Sequence, residues 1–267
     1  MTRQPAVAGQ FYTSNPIHLK AQLKNFVASQ DTKVKALGTI VPHAGYIYSG
    51  AVAGSVYARV NIPETVIILG PNHHGFGPRA ALYPTGEWIT PLGSVAIDQQ
   101  LSSLITQNSP LIEVDSSAHL QEHSIEVQLP FLQFIRPDVL IVPLCLGFND
   151  FASCRNLGLS LAKAIAEYKK EVLIIASSDM SHYQPEDVAH QEDSLAIQQA
   201  LEINPEGLYS VVQGRGITMC GVIPATVMLV AALAMGAQKS ELIRYSTSGE
   251  VSGDFNQVVG YAGVMVY

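Results

Sequence analysis

Four short, unbroken aliphatic runs constrain this chain more than anything else in it. They are Gly38-Thr39-Ile40-Val41, Val66-Ile67-Ile68-Leu69, Val139-Leu140-Ile141-Val142 and Val172-Leu173-Ile174-Ile175. A strand with one wetted face alternates apolar and polar residues; these do not, so each must be covered on both faces. Helical patterns between the runs supply that cover. Asn15-Pro16 reads as an N-cap followed by proline at the first helical position, after which Leu19, Leu23, Phe26 and Val27 form one apolar stripe. Further helices are expected near 150–168, 187–202 and 224–235, and a last strand over Val258–Tyr267. The fold class predicted is α/β, a three-layer sandwich with a central, mostly parallel or mixed sheet flanked by helices. No repeat, low-complexity tract or Pro/Ser-rich linker interrupts the chain, so residues 1–267 are expected to form a single domain.

Composition sets the partners that can be excluded. Only 14% of residues are charged, against 48% hydrophobic, which requires a large interior. The net charge is −7 and Lys/Arg residues form no cluster, so binding nucleic acid by phosphate neutralisation is not expected. Met219–Ala237 carries no charge and is long enough to resemble a membrane span. It contains Gly221 and Pro224, however, and a helix from about Pro224 to Met235 would reach roughly 18 Å, short of the roughly 30 Å hydrocarbon core. It is read as a buried core helix, with no membrane partner. The Met1–Pro5 start has no apolar run after a basic residue, so no signal peptide is expected. Cys145, Cys154 and Cys220 offer neither a disulfide framework nor a CxxC zinc site, which fits a reducing cytoplasm.

The chemistry sits just after the strands. The first run is followed by Pro42-His43-Ala44-Gly45-Tyr46, the second by Gly70-Pro71-Asn72-His73-His74-Gly75, the fourth by Ser177-Ser178-Asp179-Met180-Ser181-His182. Ligands of open α/β sheets bind outside the carboxyl ends of the strands, so these groups are expected to converge. His18 and His190 lie in amphipathic helices and read as surface residues. His43 and His73 differ from them because strand, His and Gly-containing turn recur twice. His73 and His74 are successive, so their side chains are expected to point apart, one of the two into a supporting position or solvent. Two histidines need a third ligand to make a tight metal site, and Asp179, His182, Glu122, Glu126, His123 and Cys220 are candidates. Glu122 and Glu126 would share a helical face at i, i+4. Cys220, just before an apolar helix, reads either as a small buried hydrophobe or as a soft ligand whose thiolate a helix N-terminus favours. Cys145 and Cys154 are read as structural.

These motifs, in this order, resemble the Memo family, known in microbes also as protein B of the AmmeMemoRadiSam system. The resemblance begins at Pro5-Ala6-Val7-Ala8-Gly9-Gln10-Phe11-Tyr12 and runs through His43-Ala44-Gly45-Tyr46 with Tyr48-Ser49-Gly50, Leu69–His74 and Thr90–Gly93. It continues with Glu122–Glu126, Ser177–Asp179 with His182, and Cys220-Gly221 with Pro224. It implies a fold similar to class III extradiol dioxygenases, and a metal site of His43, His73 and Cys220. Asp179, His182, Glu122 and His123 would line the cavity as catalytic residues. In those dioxygenases a carboxylate is the third ligand, so Cys220 departs from the enzyme pattern. Val222-Ile223-Pro224 also stands where animal members carry basic and His residues, so peptide recognition described for them does not transfer directly.

The leading expectation is a metal-dependent redox enzyme using Fe(II) or copper, with zinc the other candidate, acting on an unidentified small molecule or peptide in the metal pocket. His182 would be the general acid/base, because imidazole exchanges protons near neutral pH; Asp179 would orient it or another supporting group. The alternative is a non-catalytic binding or scaffold protein with a retained pocket, its partners drawn from the radical-SAM system. A zinc hydrolase, with Glu122 or His123 as the water-activating base, is a third reading.

Overall fold

The computed structural model describes residues 1–27 and 33–267. Its strands are β1 (Thr2–Arg3), β2 (Gly38–Val41), β3 (Thr65–Pro71), β4 (Ala80–Leu82), β5 (Glu87–Thr90), β6 (Gly93–Ile97), β7 (Glu113–Val114), β8 (Leu140–Leu146), β9 (Val172–Ser177), β10 (His182–Gln184), β11 (Ser240–Thr247) and β12 (Val258–Val266). Its helices are α1 (Pro16–Phe26), α2 (Tyr46–Arg59), α3 (Gln99–Asn108), α4 (Leu129–Ile135), α5 (Phe151–Tyr168), α6 (Glu186–Leu201), α7 (Pro205–Arg215), α8 (Val222–Ala234) and α9 (Gly249–Ser252).

One sheet holds these strands in the order β1-β5-β6-β8-β3-β9-β2-β12-β10, with β11 on β12 and β4 bridging β8 and β7. Its centre, β6-β8-β3-β9-β2, is parallel throughout. β12 returns antiparallel on β2, which makes the sheet mixed. The four aliphatic runs all fall in this centre because it is buried on both sides. Ile67 and Leu69 of β3 join the core beneath α3, α5, α6, α7 and α8, whereas Val66 and Ile68 join the core beneath α1, α2 and α4. The fold is therefore the α/β three-layer sandwich.

Two boundaries differ from the sequence reading for physical reasons. β8 continues past Val142 through Pro143 to Leu146. Pro143 cannot donate a ladder hydrogen bond, but it sits where β8 changes neighbours, from β6 at Leu140–Ile141 to β4 at Leu144–Leu146. The second concerns Glu122–Glu126. That segment is not helical; a 3-10 turn begins only at Glu126 and leads into α4. The uncharged Met219–Ala237 segment resolves into α8, whose residues Val222–Ala232 are buried. Among the described residues no helix is long and apolar enough to cross a membrane.

Candidate metal centre

β3, β9 and β2 are adjacent and parallel, so their carboxyl ends share one edge of the sheet. His43, His73 and Asp179 each lie two residues beyond one of these strands. Position, more than side-chain preference, brings them together.

His43 is buried, and its Nδ1 lies 3.0 Å from Ser177 Oγ. A count of protons sets its tautomer. The Pro42 carbonyl can only accept, so Gln128 Nε2 donates to it (3.0 Å) and, with its other proton, to Ser177 Oγ (2.8 Å). Tyr57 holds the Gln128 oxygen in place at 2.8 Å. The single Ser177 proton goes to the Ser124 carbonyl at 2.6 Å. Ser177 Oγ can therefore only accept from His43, which carries its proton on Nδ1 and leaves Nε2 with a free lone pair. That Nε2 lies 3.3 Å from Cys220 Sγ and 4.0 Å from Asp179 Oδ2. Burial, reinforced by nearby His73, lowers the His43 pKa to about 3, so the ring is neutral at pH 7.

His73 is held by a carboxylate instead. Its Nδ1 lies 2.9 Å from Glu122 Oε1 and its backbone N–H donates to Oε2 at 2.8 Å; the Ser124 N–H adds a third bond to Oε1 at 2.9 Å. Burial alone would raise the Glu122 carboxyl, but His73 and these amides outweigh it and hold it well below the usual range. Burial would likewise lower His73; Glu122, helped by Asp179, outweighs it and raises the imidazole above its ordinary value. The close approach of this segment needs Gly70 in β3, where a Cβ would meet Ser124 Oγ at 2.4 Å.

His123 stacks on His73 at 4.7 Å between ring centres and meets His43 edge-on at 5.4 Å. Phe11 covers it at 4.6 Å. Burial, then the neighbouring His43, lowers its pKa to about 4. One nitrogen from each of His43, His73 and His123 lies within 4.8 Å of the other two. With metal–N and metal–S distances of about 2.1 and 2.3 Å, the donors of a tetrahedral site stand about 3.4 Å (N to N) and 3.6 Å (N to S) apart. The three histidines would close around an ion by moving inward; the Cys220–His43 separation is already in range, but Cys220 is not part of the mutually close group.

Cys220 sits in the turn before α8, which is pinned to the end of β9. The Gly221 N–H donates to Ser178 Oγ at 3.1 Å and the Asp179 N–H to Cys220 Sγ at 3.3 Å. Burial, then the Asp179 charge, pushes the thiol well up, so it is protonated until a cation replaces the proton. Asp179 Oδ1 accepts from the amides of His43 (2.7 Å) and Ala44 (3.2 Å), so it pins the His43 loop; it does not orient His182. His182 is held by Thr218, whose carbonyl accepts from Nδ1 at 2.9 Å and whose hydroxyl accepts the His182 backbone N–H at 2.7 Å. Its Nε2 remains available to the cavity.

His43, His73, His123, Asp179 and His182 all line one cavity of about 560 Å³. Tyr48, Tyr183 and Tyr261 form much of the remaining wall. A larger cavity of about 790 Å³ lies beside α5, α7 and α8, but no His or Cys lines it. Of the six candidates for a third ligand, His123, Asp179 and His182 line the cavity; Cys220 lies behind it against His43. Glu122, expected in the wall, is fully buried behind His73. Glu126 is carried elsewhere, its carboxylate binding Arg3, Tyr12 and the Ala6 and Val7 amides. His74 is exposed, with Nε2 3.1 Å from the Gln121 carbonyl. Sequence reasoning missed the supporting Gln128, for which no local signal exists. It also missed Tyr183, whose φ of 59° is unusual for a bulky residue, and Tyr261.

A family model described as "Memo-like protein" matches residues 3–265. A MEMO1 family protein of Methanosarcina barkeri is 43% identical over 266 residues, covering 99% of each chain. Another, of Methanopyrus kandleri, is 39% identical over 279 residues with 99% of each chain covered. Among solved structures, an uncharacterized protein of Escherichia coli K12 has a TM-score of 0.58 at 13% identity, covering 86% of this chain and 99% of that one. That likeness concerns the fold alone.

Proposed function

Because this chain belongs to the Memo family, we propose that its cavity holds one transition-metal ion, Fe(II) or copper, and works as a metal-dependent redox site. The observation that carries this reading is the pair His43 and His73, each with Nδ1 occupied from behind and so with Nε2 left to bind. Cys220, 3.3 Å from His43 Nε2, is the third ligand of this reading; His123, which lies within 4.8 Å of both His43 and His73, is its competitor for that position. A thiolate in the set favours iron or copper over magnesium, with zinc the competitor. A bound ion of this kind would supply one-electron and dioxygen chemistry. The chain's own residues do the rest. His182 exchanges a proton at Nε2 while Thr218 holds its other nitrogen; Asp179 keeps the His43 loop in place; the tyrosines and Phe11 line the cavity.

Elemental analysis of protein purified anaerobically from its own host tests the proposal. About one equivalent of iron or copper is expected, lost in His43→Ala and sharply reduced in Cys220→Ser. Wild-type metal content in Cys220→Ser with loss in His123→Ala would transfer the third position to His123. Protein isolated without metal would end the proposal. Tight association with a partner protein, unaffected by His43→Ala and His182→Ala and without dioxygen consumption, would favour a scaffold.

A further inference from the structure

Arg3 lies outside the cavity yet is only 2% exposed. Its guanidinium donates to three acceptors of a single segment: Nε to the His119 carbonyl at 2.6 Å, Nη2 to the Glu122 carbonyl at 2.7 Å, and Nη1 to Glu126 Oε2 at 2.7 Å. Its carbon lies 4.1 Å from the centre of the Trp88 ring. Glu126 completes the attachment by accepting the amides of Ala6 and Val7 and the Tyr12 hydroxyl. Residues 3–12 are thereby fastened to residues 119–126. That same segment carries Glu122, which holds His73, and His123, which Phe11 covers.

We propose that Arg3 is a positioning residue for the histidine cluster, acting through the 119–122 turn. A guanidinium serving only to neutralise Glu126 would need one or two of its donors on that carboxylate. Here two donors go to main-chain carbonyls at both ends of one turn, which fixes the span between them. Only a rigid fork reaches all three acceptors at once; an ammonium could keep the ion pair but not both carbonyls. Movement of the Glu122 carbonyl would carry the Glu122 side chain away from His73 Nδ1 and shift the His123 ring that follows it. The consequence for metal binding rests on the function proposed above. The consequence for the His73–Glu122 bond does not.

The test therefore reads that bond in metal-free, full-length protein. In ¹⁵N-histidine-labelled wild type, the His73 Nδ1–H should give a slowly exchanging ring N–H resonance, assigned by its disappearance in His73→Ala. In Arg3→Lys it should exchange at least tenfold faster or vanish, while far-UV circular dichroism stays native. The double variant Arg3→Met with Glu126→Gln, which leaves no buried charge unpaired, should behave alike. Cobalt(II) binding, measured in parallel, should weaken about ten- to a hundredfold in both. A wild-type His73 N–H exchange rate in either folded variant overturns the proposal. So does its absence from wild type, or failure of both variants to fold, since the residue would then support the sheet and not the turn. Wild-type protein that binds no cobalt would sink the metal reading and leave the N–H measurement to decide the role of Arg3.

Discussion

Ser177 and Glu122 do the same work for His43 and His73, one with a neutral acceptor and the other with a charged one. In Ser177→Ala the His43 Nδ1–H and one Gln128 N–H would be buried without an acceptor, at a cost of about 1–3 kcal/mol. The ring would also lose its tautomer bias, so metal affinity should fall about ten- to a hundredfold in a chelator competition; unchanged affinity would mean that something else sets the tautomer. The metal-free protein should also respond to acid. His43 (about 3), His119 (about 4) and His123 (about 4) have folded pKa values below the unfolded value of about 6.5. The unfolded chain therefore takes up protons that the folded one refuses, so stability falls as pH drops from about 6.5 towards 4. Glu122, depressed when folded, adds a loss below about pH 4.3, and His73, raised when folded, opposes the trend from the other side. Thermal midpoints should thus decline steadily between pH 7 and 4, and a flat profile would contradict the burial of these rings. The two leading histidines were legible in the sequence because strand, His and turn occur twice. The Ser177–Gln128 support was not, because a hydrogen-bond inventory needs coordinates. Glu126 was read on a helical face with Glu122, but without a helix the two side chains part, one to His73 and one to Arg3.

At the scale of elements, what composition encodes was readable and what contacts create was not. The four aliphatic runs became β2, β3, β8 and β9, since double-sided burial leaves no polar alternation to hide them. α2 escaped notice because its Gly50 and Gly54 press directly on Phe26, and small residues blunt a helical pattern. β4, β7 and β10 have two or three residues each, too short for a period to register. The α8 helix was visible as an apolar run, but its tight docking at the site depends on Gly221. A Cβ there would meet Ser178 Cβ at 2.3 Å and the Ser177 carbonyl at 2.5 Å, both on the strand end that cannot yield. Gly221→Ala should cost about 1–3 kcal/mol through overpacking. It should also push the Cys220 sulfur off His43, so a cobalt(II) complex of this variant should lose its thiolate charge-transfer absorption. Retention of that band at full intensity would show that the helix start does not place the sulfur.

For the molecule as a whole, the sheet separates chemistry from stability along the strands. The carboxyl edge carries the histidines; the amino edge carries a network around Asp98. Asp98 caps α3 through the Leu101 N–H at 2.8 Å, accepts Thr65 Oγ1 from the start of β3 at 2.8 Å, and accepts the Tyr168 hydroxyl from the end of α5. These groups tie a helix start, a strand start and a helix end together, and none of them lines either of the two larger cavities. Tyr168→Phe should therefore cost about 1.5–3 kcal/mol, the worth of a hydrogen bond to a charged group. Its metal affinity should stay at the wild-type value, because the length of β3 puts the two edges on the order of 20 Å apart. Paired with Ser177→Ala, this gives a double contrast: one variant loses stability and keeps its metal, the other loses metal affinity out of proportion to its stability. If Tyr168→Phe weakened metal binding as much as Ser177→Ala, the histidine cluster would be answering to global stability, and the supports assigned at the carboxyl edge would lose their special standing.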